Sequence, residues 1–139
     1  MLTVVTPTFR RPQEATDLLA NLCRQTRLPN EVILVDGAPA EERATEEAVT
    51  PIIGALPFEC RYFRSERGTA VQRNFGIDRA RGQYVALVDD DVRLEPDFMA
   101  RTLEVFEKDT AREVGGVVGY RSNFHAGVSE SERWRWYRR

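Results

Sequence analysis

The sequence has little histidine, lysine and cysteine, and each shortage excludes a class of site. His125 is the only histidine among the 139 residues, so a zinc site built from two histidines is excluded. Lys108 is the only lysine, and no G-x-x-x-x-G-K-[ST] phosphate loop is present. Cys23 and Cys60 form no C-x-x-C pair, so we expect two reduced, buried thiols and no disulfide.

Long hydrophobic runs are also missing. No apolar run approaches the roughly 20 residues that a membrane helix needs, and the N-terminus lacks the pattern of a secretory signal. We therefore expect a cytoplasmic protein. Hydrophobic residues make up 42% of the chain and charged residues 30%, which excludes a disordered chain. The length suits one domain, or a piece of one, with a core of its own.

Positive and negative charges are nearly balanced. The chain has 20 basic and 22 acidic residues, a net charge of −2, so we expect no nucleic-acid partner. Arginine provides almost all of the positive charge. Its planar fork suits contacts to carboxylate or phosphate, although a GC-rich genome would give the same bias.

Short apolar runs alternate with helix-length segments. The runs predict strands at residues 2–5, 32–35, 60–63, 84–88 and 114–120. The segments between them predict helices that begin at Pro12, near residue 41, at Thr69 and at Pro96. Strands that are apolar throughout are buried on both faces, and helices between them indicate a mostly parallel sheet in a layered α/β fold.

Finer predictions concern an interruption, a capping box and the buried faces of the helices. Pro51 is expected to interrupt the acidic helix over residues 41–50. Thr69 and Gln72 fit a capping box at the start of the third helix. The buried side of that helix would comprise Ala70, Val71 and Phe75. In the first helix the apolar stripe comprises Ala15, Leu18, Leu19, Leu22 and Cys23, and in the last helix it comprises Met99, Leu103 and Phe106.

Polar residues follow three of the predicted strands. Thr6, Pro7 and Thr8 follow the first strand, Asp36 follows the second, and residues 89–91 follow the fourth. In open parallel sheets, ligands bind beyond the carboxyl ends of the strands. We therefore expect these residues to lie along one edge of the sheet.

The triplet of Asp89, Asp90 and Asp91 is the sharpest feature. In an extended segment Asp89 and Asp91 project the same way and Asp90 the other way. Two carboxylates held side by side repel each other unless a cation lies between them. Carboxylate oxygens suit Mg²⁺ or Mn²⁺, which bind one or two carboxylates together with substrate phosphates. The prediction is a Mg²⁺ or Mn²⁺ site at Asp89 and Asp91, and the alternative interpretation is a solvated acidic turn.

Five segments carry a resemblance to a known family: residues 4–11, 31–37, 68–76, 81–91 and 96–97. In this order and spacing they resemble the nucleotide-sugar-binding half of a family 2 glycosyltransferase with the GT-A fold. The resemblance implies a Rossmann-like GT-A layered sandwich with a mostly parallel sheet, incomplete at the C-terminus. Residues 1–120 would form the nucleotide-sugar-binding domain, and residues 121–139 the start of an acceptor-side region or a tail.

The resemblance implies roles for the matching residues around the nucleotide. Thr6, Pro7 and Thr8 would lie against it, with Thr6 near the base. Asp36 would sit beside the uracil of a UDP-sugar. Arg73 and Asn74 match the arginine-asparagine pair of the family, which helps to hold the nucleotide.

The acidic triplet matches the D-x-D motif of the family. Asp89 and Asp91 occupy its outer positions, with Asp91 as the main metal ligand, and Asp90 would lie near the ribose. The metal would neutralise the diphosphate as it leaves, which stabilises the transition state more than the ground state. Members of the family transfer the sugar with inversion, and a carboxylate base takes the proton of the acceptor hydroxyl.

The chain departs from the family pattern at two positions. The family often has two acidic residues after the second strand, the second of which often reads the base, and here Asp36 is followed by Gly37. Gln72 occupies a place that a small residue usually takes.

Glu130 and Glu132 are available carboxylates, but neither is assigned as the base. The catalytic base is expected outside this chain, so a donor-binding module or truncated fragment without turnover is the alternative function.

Residues 133–139 alternate cations and aromatic rings. We favour the start of an acceptor-domain helix. Contact with an anionic membrane on the cytoplasmic face is the next interpretation, followed by stacking on single-stranded nucleic acid. The acceptor would be a glycan or a lipid-linked molecule of cell-envelope or polysaccharide synthesis.

A phosphatase of the haloacid type is a further alternative for the D-x-D pattern. That class would place the motif after its first strand and a threonine or valine two residues on, whereas here it follows the fourth strand and that position is Arg93. A nucleotidyltransferase of similar fold would have a glycine-rich opening loop that carries a lysine. This chain lacks such a loop.

Overall fold

Strands and helices alternate through the part of the chain that the structure describes. The structure is a computed structural model, and it describes residues 1–119 together with the backbone of residues 134–138. The elements are β1 (Leu2–Thr8), α1 (Pro12–Leu22), β2 (Glu31–Asp36), α2 (Ala44–Ile53), β3 (Glu59–Arg64), α3 (Thr69–Ile77), β4 (Tyr84–Leu87), α4 (Phe98–Lys108), β5 (Val114–Gly119) and β6 (Trp134–Arg138).

The first four strands form one parallel sheet in the order β3-β2-β1-β4. Every residue of the two central strands, β1 and β2, is buried. Continuous apolar runs such as Val32–Val35 give such strands, because the residues that face each side of the sheet must be apolar. The predicted α/β class with a parallel sheet is confirmed.

Helices cover both faces of this sheet. Buried residues of α1, α2 and α4 share one cluster with strand residues such as Val4 and Leu34. A smaller cluster on the opposite face joins Val5, Ile33 and Val35 to Phe75 of α3. The predicted apolar stripes of α1 and α4 face the larger cluster, with Cys23 and Phe106 half-buried at their ends. Phe106 stacks on Tyr84 with ring centroids 4.9 Å apart.

Pro51 does not interrupt the second helix, so that prediction is wrong. Helix α2 runs through Pro51 to Ile53. The proline removes a hydrogen bond to the carbonyl of Glu47, but both residues are exposed, and water can bind that carbonyl. Val49, Ile52 and Ile53 pack into the core on the other face and favour the continued helix.

Helix α3 begins at Thr69 as predicted, but the predicted capping box is wrong, and its predicted buried side is wrong in part. Gly68 is the N-cap, and no side chain caps the helix. Ala70 and Val71 are exposed, and the buried residues are Gln72 and Gly76, with Phe75 half-buried. A polar side chain occupies the interior because it bonds to backbone there, which apolar periodicity does not register.

The fifth predicted strand forms β5 but does not join the parallel sheet. It pairs antiparallel with β6 in a separate two-stranded sheet. The favoured helix is therefore wrong for residues 134–138, because their alternating aromatic and charged residues have the period of a strand. His125, Glu130 and Glu132 lie outside the described residues, and the division at residue 120 stays a prediction.

Cys23 and Cys60 are free thiols, as predicted, although Cys23 is only half-buried. Burial raises the pKa of the Cys60 thiol to about 12, so this side chain stays protonated and unreactive. Among the described residues the longest helices have 11 residues, and none could cross a membrane.

Candidate functional site

Hydrogen bonds join the loops that follow the parallel strands at their carboxyl edge. The hydroxyl of Thr8, at the end of β1, donates to Oδ2 of Asp90 after β4 at 2.9 Å. The backbone N–H of Gly37, just after β2, donates to the carbonyl of Thr8 at 3.0 Å. Three segments far apart in sequence therefore meet at one edge, as the topology predicts.

The acidic triplet forms a turn and not an extended segment. The N–H of Val92 donates to the carbonyl of Asp89 at 3.2 Å, which closes the turn. Asp90 is only 4% exposed, whereas the side chains of Asp89 and Asp91 are 46% and 62% exposed. The prediction that Asp89 and Asp91 project together from an extended strand is wrong, because the chain reverses direction immediately after β4.

Arg11 holds two of these carboxylates. Its Nη1 lies 3.1 Å from Oδ1 of Asp90 and 3.2 Å from Oδ2 of Asp91. The negative charge of Asp90, followed by the hydrogen bond to Asp91, raises the pKa of Arg11 above its ordinary value. Arg11 precedes Pro12 at the start of α1, so the first turn of that helix brings a fixed positive charge to the acidic turn.

Arg73 holds the remaining carboxylate. Its Nη2 donates to Oδ1 of Asp89 at 2.6 Å. Its Nε is buried and has no hydrogen-bond partner among the described residues. An unsatisfied buried N–H costs about 1–3 kcal/mol, so an oxygen acceptor at this point would stabilise the site. Asn74, the next residue of α3, is exposed.

Asp36 is fully buried at the end of β2. Its Oδ1 accepts from the N–H of Ala38 at 2.9 Å, and its Oδ2 accepts from the hydroxyl of Tyr62 at 2.5 Å. Burial, and then the hydrogen bond to Asp36, raise the pKa of Tyr62. In this structure the carboxylate shapes the loop after β2, and its contact with a base stays a prediction.

Thr6 and Pro7 lie within β1 and are buried. They pair with Leu34 and Val35 of β2. The hydroxyl of Thr6 is buried and has no partner among the described residues. Of the three residues predicted after the first strand, Thr8 is the one whose hydroxyl bonds to the acidic turn.

Sequence reasoning did not assign Arg11, Gln72 or Tyr62 to the site. Arg11 could have been found, because it ends the same polar segment that begins at Thr6. Tyr62 had no signal, since its contact depends on the register of β3 beside β2. Phe9 follows Thr8, and the guanidinium of Arg67 lies 4.4 Å from its ring centroid.

The donor chemistry at this edge can be compared with what a divalent cation needs. Among the described residues no group of three or more histidine, cysteine, aspartate or glutamate side chains is placed to hold a metal ion. Asp89 and Asp91 supply two partly exposed carboxylates. Mg²⁺ in particular binds through one or two carboxylates and takes its other oxygen ligands from water and phosphate, so these residues fit such an ion bound together with a phosphate ligand.

Comparison with known proteins decides the family. A family model for glycosyl transferase family 2 matches residues 3–139. The chain belongs to glycosyl transferase family 2. This confirms the resemblance that the five sequence segments carry.

Two relatives illustrate the similarity of this family 2 chain in sequence. A protein of Haemophilus influenzae described as an uncharacterized glycosyltransferase is 30% identical over 108 residues, which cover 78% of this chain and 35% of that protein. The succinoglycan biosynthesis protein ExoM of Rhizobium meliloti is 32% identical over 112 residues, with 78% and 34% covered. The chain therefore spans about a third of the length of these curated relatives.

Solved structures share its GT-A fold. The mannosyltransferase PcManGT from Pyrobaculum calidifontis, in complex with GDP-Man and Mn²⁺, superposes with a TM-score of 0.72 at 25% identity, covering 86% of this chain and 35% of that one. TarS of S. aureus with UDP-GlcNAc has a TM-score of 0.69 at 20% identity, covering 94% and 37%, which shows the fold alone.

Proposed function

We propose that this family 2 chain binds a nucleoside-diphosphate sugar, with UDP as the nucleotide, at the carboxyl edge of its parallel sheet. With Mn²⁺ or Mg²⁺ it takes part in inverting transfer of the sugar to an acceptor hydroxyl. The observation that carries the proposal is the turn of Asp89, Asp90 and Asp91, held between Arg11 and Arg73 at the edge where parallel sheets bind ligands.

The arrangement of charges supports a diphosphate ligand. Asp89 and Asp91 would hold the cation, which would neutralise the charge that develops on the leaving diphosphate. Arg73 contributes a buried Nε–H that lacks an acceptor, and a phosphate oxygen is a strong acceptor for such a donor. Arg11 adds a second guanidinium beside the same turn.

The remaining predicted residues would contact the nucleoside. Thr6, Pro7 and Thr8 would lie against the nucleotide, Asp36 beside the base, Asp90 near the ribose and Asn74 on the exposed side of α3. Two hydroxyl groups near the carboxyl end of β1 support this placement: that of Thr6, which has no partner among the described residues, and that of Thr8, which bonds to Asp90.

The proposed acceptor is a glycan or a lipid-linked molecule in polysaccharide or cell-envelope synthesis. The support is the similarity to ExoM, whose name assigns it to succinoglycan biosynthesis. Contact of residues 133–139 with the cytoplasmic face of a membrane remains part of this proposal. The anomeric configuration of a transfer product, measured by NMR, tests inversion.

Calorimetry tests donor binding. We expect UDP to bind in the presence of Mn²⁺ and to bind at least about tenfold more weakly with EDTA, because two carboxylates and a diphosphate repel without a cation. Asp91→Asn should remove most of that metal dependence while the circular dichroism spectrum stays native. GDP is measured in parallel, because PcManGT was solved with GDP-Man.

Asp78→Asn is the matched control. Asp78 is exposed and lies at the C-terminal end of α3, away from the acidic turn, and the substitution removes the same charge. It should bind UDP and Mn²⁺ like the unsubstituted protein. Equal UDP affinity with and without metal would contradict the role given to Asp89 and Asp91, and binding of neither nucleotide would contradict the donor site itself.

A further inference from the structure

The two positions that depart from the family pattern contact each other in the fold. A Cβ atom at Gly37 would lie 3.0 Å from Oε1 of Gln72 and 3.1 Å from its Cδ. It would also lie 3.1 Å from Cα of Arg67. Position 37 therefore has little room for a side chain while Gln72 keeps its position, and the amide of Gln72 occupies the space that such a side chain would enter.

The amide of Gln72 joins three chain segments. Its Nε2 donates to the carbonyl of Thr8 and to the carbonyl of Val35, each at 2.7 Å. Its Oε1 accepts from the N–H of Gly68 at 3.3 Å. The side chain is only 4% exposed, so it does not face a ligand directly. Both donors of the amide are used to tie the ends of β1 and β2 to the start of α3.

These hydrogen bonds lie next to Arg73 and Thr8, which both bond to the acidic turn. Gln72 precedes Arg73, whose guanidinium bonds to Asp89. The carbonyl that Gln72 binds belongs to Thr8, whose hydroxyl bonds to Asp90. A shift of this amide would therefore move the partners of two of the three aspartates.

We propose that Gln72 is a positioning residue of the donor site, with Gly37 as its required neighbour. The buried amide sets the spacing between the ends of β1 and β2 and the N-terminus of α3, and so places Thr8 and Arg73 against the acidic turn. This inference rests on the proposed function for its role in donor binding, but its structural part can be measured without any ligand.

Two substitutions of similar size test the amide. Gln72→Met removes both donors without adding charge, and Gln72→Glu directs a carboxylate oxygen at two carbonyl oxygens. We expect the side-chain Nε–H signal of Arg73 to move in ¹⁵N NMR spectra of both variants. With Mn²⁺ present, both variants should bind UDP or GDP about tenfold more weakly than the unsubstituted protein does. Affinity is measured at a temperature where the circular dichroism spectra of the variants are native.

Gln83→Glu is the matched control, because Gln83 is exposed in the turn before β4 and the chemical change is the same. Its Arg73 signal and nucleotide affinity should be unchanged. An unmoved Arg73 signal in Gln72→Met overturns the inference. If the unsubstituted protein binds nucleotide, an equal nucleotide affinity of Gln72→Met also overturns it. Failure of the unsubstituted protein to bind UDP or GDP overturns the proposed function and the donor-binding role, whereas a shifted Arg73 signal still supports the structural part.

The contact between Gly37 and Gln72 is tested by a double-mutant cycle. Gly37→Ala should lower the melting temperature and nucleotide affinity, because its Cβ meets the amide of Gln72 and the backbone of Arg67. In the Gln72→Ala background the same substitution should have a clearly smaller effect, since one of the two contacts is gone. Equal effects in both backgrounds overturn the pairing of these two positions.

Discussion

At the scale of single residues, Arg11 is the side chain that changes the interpretation of the acidic turn most. It bonds to Asp90 and Asp91, while Arg73 bonds to Asp89, so every aspartate of the turn has an arginine partner. The positive charge of Arg11 reduces the repulsion between the carboxylates of Asp90 and Asp91. A cation at this turn must therefore share the carboxylate of Asp91 with Arg11.

We predict that Arg11→Gln strengthens the binding of Mn²⁺ in the absence of nucleotide by about threefold to tenfold, because it removes a positive charge close to Asp91. The same substitution should weaken UDP binding, since a donor near the diphosphate is lost. Electron paramagnetic resonance of free Mn²⁺ measures the first effect and calorimetry the second. Arg24→Gln, on an exposed arginine beyond α1, is the control with the same change of charge. Unchanged or weaker Mn²⁺ binding in Arg11→Gln would contradict this competition.

At the scale of elements, α3 brings Gln72 and Arg73 to the site because its backbone lies close to the sheet. A Cβ atom at Gly76 would lie 2.3 Å from Cγ1 of Val5 and 3.4 Å from Cγ2 of Val35. The absence of a side chain at Gly76 lets the helix backbone approach β1 and β2. This approach brings Gln72, one turn earlier, within hydrogen-bond distance of both strands.

Gly76→Ala should therefore destabilise the protein by about 2 kcal/mol or more, because the added methyl group forces α3 away from the sheet. Urea unfolding followed by circular dichroism measures the change. Gly54→Ala is the control: Gly54 has an ordinary φ of −72°, and a Cβ there meets nothing within 4 Å. A similar, small effect of both substitutions would show that α3 can move outward at little cost.

At the scale of the whole molecule, the opposite edge of the sheet has its own buried charge. Glu31 is fully buried at the start of β2. It accepts from the hydroxyl of Thr3 and from Nε of Arg81, each at 2.8 Å, and from Arg61. Burial acts to raise the pKa of Glu31, but these hydrogen bonds outweigh it and hold that pKa below the ordinary value of 4.5.

The sign of this shift predicts the acid response of the fold. A lowered pKa means that ionised Glu31 stabilises the folded state above pH 4.5, and that this contribution is lost as the pH falls through the folded pKa. Glu31→Gln should cost about 2 kcal/mol of unfolding free energy at pH 7. The difference from the unsubstituted protein should shrink below pH 4.5, as measured by urea unfolding across pH. Glu41→Gln, on an exposed loop residue, should leave the pH profile unchanged. A difference that stays constant across pH would contradict the assignment.

Much of the architecture follows from local pattern. Runs such as residues 32–35 predict buried strands because apolar side chains on both faces of a strand can pack against helices on both sides of the sheet. The stripe of α1 predicts its buried face for the same reason. The pattern fails where tertiary contacts decide the structure. Packing of Val49 and of the residues after Pro51 keeps α2 helical, and hydrogen bonds to backbone stabilise Gln72 in the interior.

The sequence by itself determined the parallel α/β class, the edge where the polar loops meet and the membership of family 2, because strand periodicity, the alternation of strands and helices, and motif order are properties of the chain as written. Only the tertiary structure decided which arginine holds which aspartate, that the triplet turns after β4, and that Gln72 fills the space beside Gly37. Those pairings depend on strand register and on the distance of α3 from the sheet. Neither quantity is encoded in the spacing of residues along the chain.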